Sequence, residues 1–363
     1  MQVEDIFKDK VIYYDGGAHQ SLEHPANTRR FPRFADKFNI KYTNYYEQGD
    51  DKYDIIVVAQ AADLSFWRRQ VKSGKIIIFD ANDPYLITDG NTLKDRFRGL
   101  FKYLSGRNKF LDWNFKKSYE LMCLNSNLVI TGSREQYDYL KEKGIEVSFI
   151  IDYGISIPIQ SKCSHCLVEK NEINIFWEGL GTSYLPFKDI EKLFLPIRGL
   201  FNFKFHFVTD LNISRIGGKY LNIEIVNLAK RQSPTFYDSF KFYKWNESIM
   251  NKIAISCDFA IIPLPLDRSI NYYKPENKLI HMWRMALPTI VSAIPSYERV
   301  MKEIGQMAYS TNDEEWRYKI LELSKDQIQR SNYGIGGLDF ANKNYSEEII
   351  DQMWHNALIE IIQ

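Results

Sequence analysis

The chain of 363 residues has few cysteines, no excess of one charge and no long apolar run. Its four cysteines, Cys123, Cys163, Cys166 and Cys257, are too scattered to frame a protein of this length with disulfides, so a reducing compartment is expected. Lys and Arg number 47 against 46 Asp and Glu, a net charge of +1. A protein that wraps nucleic acid by neutralising phosphates carries a large basic excess, so no nucleic-acid partner is expected and any polyanion must be met locally. No window reaches the roughly 18 uncharged apolar residues of a spanning helix, and the opening MQVEDIFKDK mixes charges with no apolar stretch. The expected localisation is cytoplasmic, with room for a peripheral position on the inner face of a membrane. No internal repeat or low-complexity tract stands out. Hydrophobic residues at 45% and charged residues at 26% are those of a soluble globular protein, and the length suits two domains. The unusual quantity is the aromatic content, 15%, from 23 Phe, 23 Tyr and 7 Trp.

Short apolar runs bounded by turn residues alternate with longer helical patterns, as in parallel strands joined by crossover helices. Val11–Tyr14, Ile55–Val58, Lys75–Phe79, Leu128–Thr131 and Val147–Ile151 are each too short for a helix and read as strands. Residues 133–144 open on a capping Ser133 and stop at Gly144, which reads as a helix. The stretch 156–171, SIPIQSKCSHCLVEKN, has no period and marks a boundary. Beyond it Ile173–Trp177, Lys204–Val208, Ile223–Val226, Phe259–Pro263 and Thr289–Ser292 read as strands, and Phe187–Leu200, Asn246–Ser256 and Asn277–Met285 as helices. Residues 346–363 hold an amphipathic helix that packs back on the domains. The expected architecture is α/β: two Rossmann-like doubly wound domains, 1–158 and 159–345, facing a cleft at the carboxyl ends of their strands.

The segment from Trp245 to Pro295 is the most specific. A helix leads to the strand from Asp258 to Pro263, then a polar loop, then Lys274, Asn277 and Lys278 at a helix start, then Pro288 before the next strand. This order resembles the nucleotide-sugar half of GT-B glycosyltransferases, in particular the large retaining bacterial family, glycosyltransferase family 4-like or group 1. Leu124–Gly154 resembles the end of that family's N-terminal domain, and Ile173–Lys188 the first strand and glycine loop of its C-terminal domain. The resemblance implies a metal-independent hexosyltransferase with no resident cofactor, acting on a nucleotide-sugar donor and a glycan or glycolipid acceptor, in bacterial surface polysaccharide or glycoconjugate synthesis. It implies a donor site at Gly179, Gly181, Thr182, Lys188, Lys274, Asn277, Lys278 and His281. A helix N-terminus with an adjacent lysine suits a diphosphate, whose charge grows as the sugar–phosphate bond breaks. The family's two glutamates in this region are replaced by Tyr273 and His281. That departure leaves two alternatives, a GT-B-fold nucleotide-sugar epimerase and a non-catalytic GT-B-like subunit that binds glycan or a partner.

In the first domain, DGGAHQSLEHPANTRR follows the first strand as an acceptor-side loop with Gly16, Gly17, Arg29 and Arg30. His19 and His24, with Asp83 after the third strand, are the candidates to take or orient the acceptor proton. A solvated histidine, a tight turn and a helix cap are the plain structural readings of the same residues. Cys163-Ser-His-Cys166 lacks the second ligand pair that a structural zinc needs, and no metal site is expected. Residues 92–120 interleave Lys and Arg with Phe, Tyr and Trp, a pattern for an anionic membrane surface or an acidic or lipid-linked acceptor, or for a helix pair burying its aromatics.

Overall fold

The computed structural model describes residues 7–17, 28–46, 52–70, 75–87, 93–154, 171–181, 184–215 and 221–362. Contacts divide the chain into two compact units. The first comprises Met1–Gly154, Arg268–Pro275 and Tyr345–Gln363, and the second Ile155–Asp267 and Glu276–Asn344.

The first unit runs β1 (Ile12–Asp15), α1 (Phe31–Lys37), β2 (Tyr42–Thr43), β3 (Ile55–Ala59), α2 (Leu64–Gln70), β4 (Ile76–Asp80), α3 (Leu93–Leu104), α4 (Phe115–Asn125), β5 (Leu128–Thr131), α5 (Arg134–Glu142) and β6 (Val147–Phe149). Its six strands are all parallel, in the order β2-β1-β3-β4-β5-β6. Helices on both faces explain why β5 (LVIT) is buried throughout and β3 (IIVVA) at all but its last residue, with no polar alternation. Ser133 caps α5 through its Oγ, which accepts from the Gln136 amide.

The second unit runs β7 (Glu172–Glu178), α6 (Phe187–Phe194), β8 (Asn202–Thr209), the antiparallel pair β9 (Asn212–Arg215) and β10 (Leu221–Glu224), α7 (Ile225–Gln232), β11 (Phe240–Lys244), α8 (Glu247–Ile255) and β12 (Phe259–Ile262). After the short helix α9 (Ser269–Tyr272), which belongs to the first unit, come α10 (Asn277–Arg284), β13 (Thr289–Ser292), α11 (Pro295–Glu303), β14 (Tyr309–Ser310), α12 (Asp313–Lys325) and α13 (Gln327–Asn344). The sheet is parallel in the order β11-β8-β7-β12-β13-β14. The expected strand Ile223–Val226 is corrected. Ile223 and Glu224 end β10, but helix α7 begins at Ile225, with Ile225 and Ala229, four apart, facing the core, and the third strand of the parallel sheet is β11.

Much of the aromatic content is spent here. Phe187, Phe194, Phe203, Phe205, Phe207, Phe236 and Phe240 form one cluster between the sheet and α6. Edge-on pairs such as Phe194–Phe205 at 4.9 Å and Phe187–Phe207 at 5.0 Å each add about 0.5–1.5 kcal/mol beyond area burial. The final helix, α14 (Glu347–Ile362), packs on α1, with Trp354 fully buried against Phe31 and Phe34.

Candidate functional site

In the second unit the chain leaves β7 toward β8 and β11, then crosses to β12, β13 and β14 on the other side. A doubly wound sheet leaves a crevice outside the carboxyl ends of its strands at such a reversal. The residues at the end of β7 are therefore the first to consider.

Glu178 closes β7. Its Oε1 accepts from Trp245 Nε1 at 2.9 Å, and its carbonyl accepts from Lys278 Nζ at 2.7 Å. The same ammonium lies over the Trp177 ring, 5.2 Å from its centroid. A Cβ at residue 179 would sit 2.7 Å from the Trp177 ring and 3.0 Å from Lys278 Nζ, so a side chain there would have to displace the buried Trp177 ring. The Gly179 amide donates to the Val208 carbonyl at 3.2 Å and the Gly181 amide to Asp210 Oδ2 at 2.9 Å. Residues 178–181 are thus drawn across the ends of β7 and β8, with a lysine amine against their backbone.

Lys278 reaches this loop from the first turn of α10, which begins at Asn277. Glu276 is the N-cap residue, but its side chain makes no capping bond. Its carboxylate is buried and faces Arg299 Nη2 of α11 at 3.3 Å. Burial, and then the carboxylates of Glu276 and Glu178, keep the Tyr297 phenol protonated far above its ordinary range. Ser292 Oγ, at the end of β13, accepts from the Leu264 amide at 2.7 Å and fixes the loop that follows β12. The edge therefore holds a glycine loop, a helix N-terminus, Lys278 and Arg299, a combination suited to an anionic ligand.

The structure brings together Gly179, Gly181 and Lys278, with Asn277 beginning the helix that carries Lys278. His281 lies one turn farther along α10 with its imidazole buried, so it is not an open hydroxyl contact. Lys188 is exposed on α6, where it lines an open pocket of about 590 Å³ with Glu191, Lys192, Leu195, Arg231 and Gln232. Lys274 falls in Arg268–Pro275, which packs with the first unit; there Ser133 Oγ donates to the Tyr273 carbonyl at 2.7 Å. Thr182 lies outside the described residues, as do His19, His24, Cys163 and Cys166.

In the first unit the reversal is at β1 and β3. Asp15 ends β1; its Oδ1 accepts from the Gly17 amide at 2.8 Å and its Oδ2 from Trp67 Nε1 at 2.5 Å. Burial raises its carboxyl above the ordinary range, and the Trp67 and Gly17 bonds oppose that rise. Gly16 is buried beside it. Gly17 has φ +64°, and a Cβ there would lie 2.2 Å from the Ala61 carbonyl oxygen. Its glycine is thus demanded by the turn itself. Asp83 is held in a reciprocal pair with Gln60, its amide donating to Oε1 at 2.7 Å and its Oδ2 accepting from Nε2 at 2.8 Å. That pairing makes the turn after β4 rigid and leaves Asp83 engaged rather than poised as a base.

Arg30 is corrected from acceptor contact to structural ion. Its guanidinium is buried, bonded to both Asp80 oxygens (2.6–3.2 Å), to Asp152 at 3.2 Å and to the Ile150 carbonyl at 2.7 Å. Burial alone would lower its pKa, but Asp80 and Asp152 overcome this and keep it charged. Burial raises the Asp152 carboxyl, and Arg30 offsets part of that rise. Arg29 is half-buried, its carbonyl accepting from the Tyr153 amide at 3.0 Å. Glu276, Arg299, Asp15 and Trp245 escaped the sequence reading because each acquires its role from partners 23 to 67 residues away.

No family model matches the chain, and no curated protein matches it in sequence. Solved structures do match in three dimensions. A glycosyltransferase from Rickettsia africae ESF-5 aligns over 98% of this chain and 99% of its own, with TM-score 0.61 and 13% identity. Anabaena Alr3699/HepE in complex with UDP aligns over 97% and 100%, with TM-score 0.59 and 13% identity. Sucrose-phosphate synthase from Thermosynechococcus elongatus aligns over 91% and 76%, with TM-score 0.56 and 13% identity. These likenesses, with two six-stranded parallel sheets, show the GT-B fold.

Proposed function

We propose that a chain of this fold, with these residues at the switch point of its second unit, is a glycosyltransferase that moves a sugar from a nucleotide-sugar donor to a glycan or lipid-linked acceptor. The observation that carries the reading is the placement of Lys278 Nζ, 2.7 Å from the Glu178 carbonyl, on the glycine loop at the end of β7. Two similar structures support the donor class by what they hold: HepE is described with UDP and with UDP-glucose.

In the proposed reaction the bond from the sugar's anomeric carbon to the phosphate oxygen breaks, and the nucleoside diphosphate departs with the electron pair. The acceptor hydroxyl oxygen bonds to that carbon and its proton passes to the departing diphosphate oxygen. Charge grows on the leaving diphosphate, so groups fixed around it stabilise the transition state more than the ground state. Lys278 and the backbone amides of the α10 first turn are the groups assigned to it, with Arg299 balancing the buried Glu276 carboxylate beside that turn. A hexose as the transferred sugar, no dependence on a metal, and a role in surface polysaccharide synthesis belong to the same proposal.

Incubation with a panel of nucleotide-sugars, followed by separation of nucleotides and sugars, tests the reading. Release of nucleoside diphosphate is expected, slowly to water and faster with an acceptor glycan. An epimerised sugar still bound to its nucleotide would instead make the protein an epimerase. Recovery of every donor unchanged, with and without glycans, would favour a subunit that binds without reacting.

A further inference from the structure

The basic aromatic stretch of the first unit admits two arrangements, aromatics inward or aromatics outward, and the structure divides it. Phe115, Tyr119 and Met122 of α4 are buried in the core of the unit. The end of α3 and the loop after it turn the other way: Phe101 is 57% exposed, Leu104 70% and Trp113 56%, and Tyr103, Phe110 and Leu111 stand beside them. No comparable run of large apolar side chains is exposed elsewhere among the described residues. Exposed apolar residues scattered singly are ordinary, but six within thirteen residues form a patch that marks an interaction surface.

The charges say what covers it. Between Phe101 and Lys117 stand Lys102, Arg107, Lys109, Lys116 and Lys117 against one acid, Asp112. That acid is already engaged: Arg68 donates to it twice, at 2.6 and 2.9 Å, and Ser118 Oγ at 2.7 Å. Its carboxyl lies below the ordinary range, since these bonds outweigh burial. The basic side chains lie along the rings, Lys102 4.2 Å from the Phe115 centroid and Lys109 4.9 Å from that of Phe66. A long cationic stem over an aromatic body, with Trp and Tyr between, is how a protein face enters the headgroup region of a bilayer. No described helix is long and apolar enough to cross a membrane, so the contact would be with its surface.

We propose that the face formed by residues 101–117 docks on an anionic lipid surface, with Phe101, Leu104 and Trp113 entering the interface and Arg107, Lys109 and Lys117 meeting lipid phosphates. The proposal does not depend on the sugar-transfer reading, because lipid binding is measured without a donor. It would bring an enzyme of that kind to lipid-linked acceptors.

Flotation of the full chain with vesicles of phosphatidylcholine containing about 30% phosphatidylglycerol tests it against vesicles of phosphatidylcholine alone. The protein is expected to float with the anionic vesicles and to remain free with the neutral ones. Leu104→Ser with Trp113→Ser, and separately Arg107→Glu with Lys109→Glu, should each weaken binding about tenfold or more, with melting temperatures unchanged because these side chains are exposed. No flotation at low salt, or equal flotation of the wild type and both variants, would overturn the proposal. So would light scattering that shows a dimer which Leu104→Ser with Trp113→Ser makes monomeric, since the patch would then be covered by a second copy.

Discussion

Helix α10 carries Lys278, and its end is strained in a way that can be measured. Ala286 has φ +51°, the left-handed region that glycine occupies without penalty. The chain goes there to close the helix: the Ala286 amide donates to the Trp283 carbonyl at 2.8 Å and the Leu287 amide to the Met282 carbonyl at 3.1 Å, a Schellman pattern. A Cβ in this region costs about 1–2 kcal/mol. Ala286→Gly removes that cost but adds about 0.4–1 kcal/mol of freedom to the unfolded chain, leaving a net gain of about 0.5–1 kcal/mol. For a unit of this size the gain corresponds to a rise of about 1–4 °C in Tm, readable by circular dichroism or calorimetry. The neighbouring position gives the opposite sign. A Cβ on Gly334 of α13 would lie 2.3 Å from the Ala286 carbonyl oxygen, a backbone atom that cannot turn aside. Gly334→Ala must therefore push α13 from α10 and should cost about 2–3 kcal/mol. An unchanged or lowered Tm in Ala286→Gly, or a neutral Gly334→Ala, would refute this account of how α10 is closed and held.

Two further perturbations report on the sheets. His206 of β8 is buried, its Nε2 2.9 Å from Asn174 Oδ1 and its Nδ1 3.2 Å from Tyr243 Oη; burial, then Lys241, push its pKa from 6.5 down to about 4. The unfolded chain therefore binds the extra proton first, and stability falls as pH drops from about 6.5 to 4 by at most about 3 kcal/mol, with no contribution above that window. His206→Gln should flatten this part of a urea-midpoint profile, and an unaltered slope would remove His206 as its source. In the first unit, Arg30→Met strands Asp80 and Asp152 in the core and should cost about 3–5 kcal/mol at neutral pH. Part of that loss should return as the pH is lowered, since burial already raises the Asp152 carboxyl and Arg30 no longer opposes it, and a loss independent of pH would contradict the buried-ion account.

The strands that stand out most plainly in the sequence share one property, burial on both faces. Ile55–Ala59, Leu128–Thr131 and Thr289–Ser292 are continuous apolar runs because helices cover the sheets on both sides. Two edge strands carry no such mark and escape the sequence reading: β11 alternates Phe with Lys and Tyr and is half exposed, and β2 has only two residues. That Lys278 meets the Gly179 loop is foreshadowed by the family resemblance of the two segments rather than by any spacing between them. The acid of that site is not, because Glu276 lies in a loop-to-helix turn whose sequence does not show that Arg299 closes over it. Arg30 failed in the reverse direction. An arginine in a polar loop after a strand looks available for ligands, and only its two distant aspartates, 50 and 122 residues away, reveal it as core. The basic aromatic stretch was legible as amphipathic but not as to direction, since its period is the same whether the rings face the core or the solvent.

Calorimetric titration of uridine, guanosine and adenosine diphosphates into the full chain tests for the proposed nucleotide site at the Lys278 loop. One of the three is expected to bind at a single site, and Lys278→Ala should weaken it about tenfold or more while the protein remains folded. No binding of any nucleotide, or equal affinity in Lys278→Ala, would contradict it.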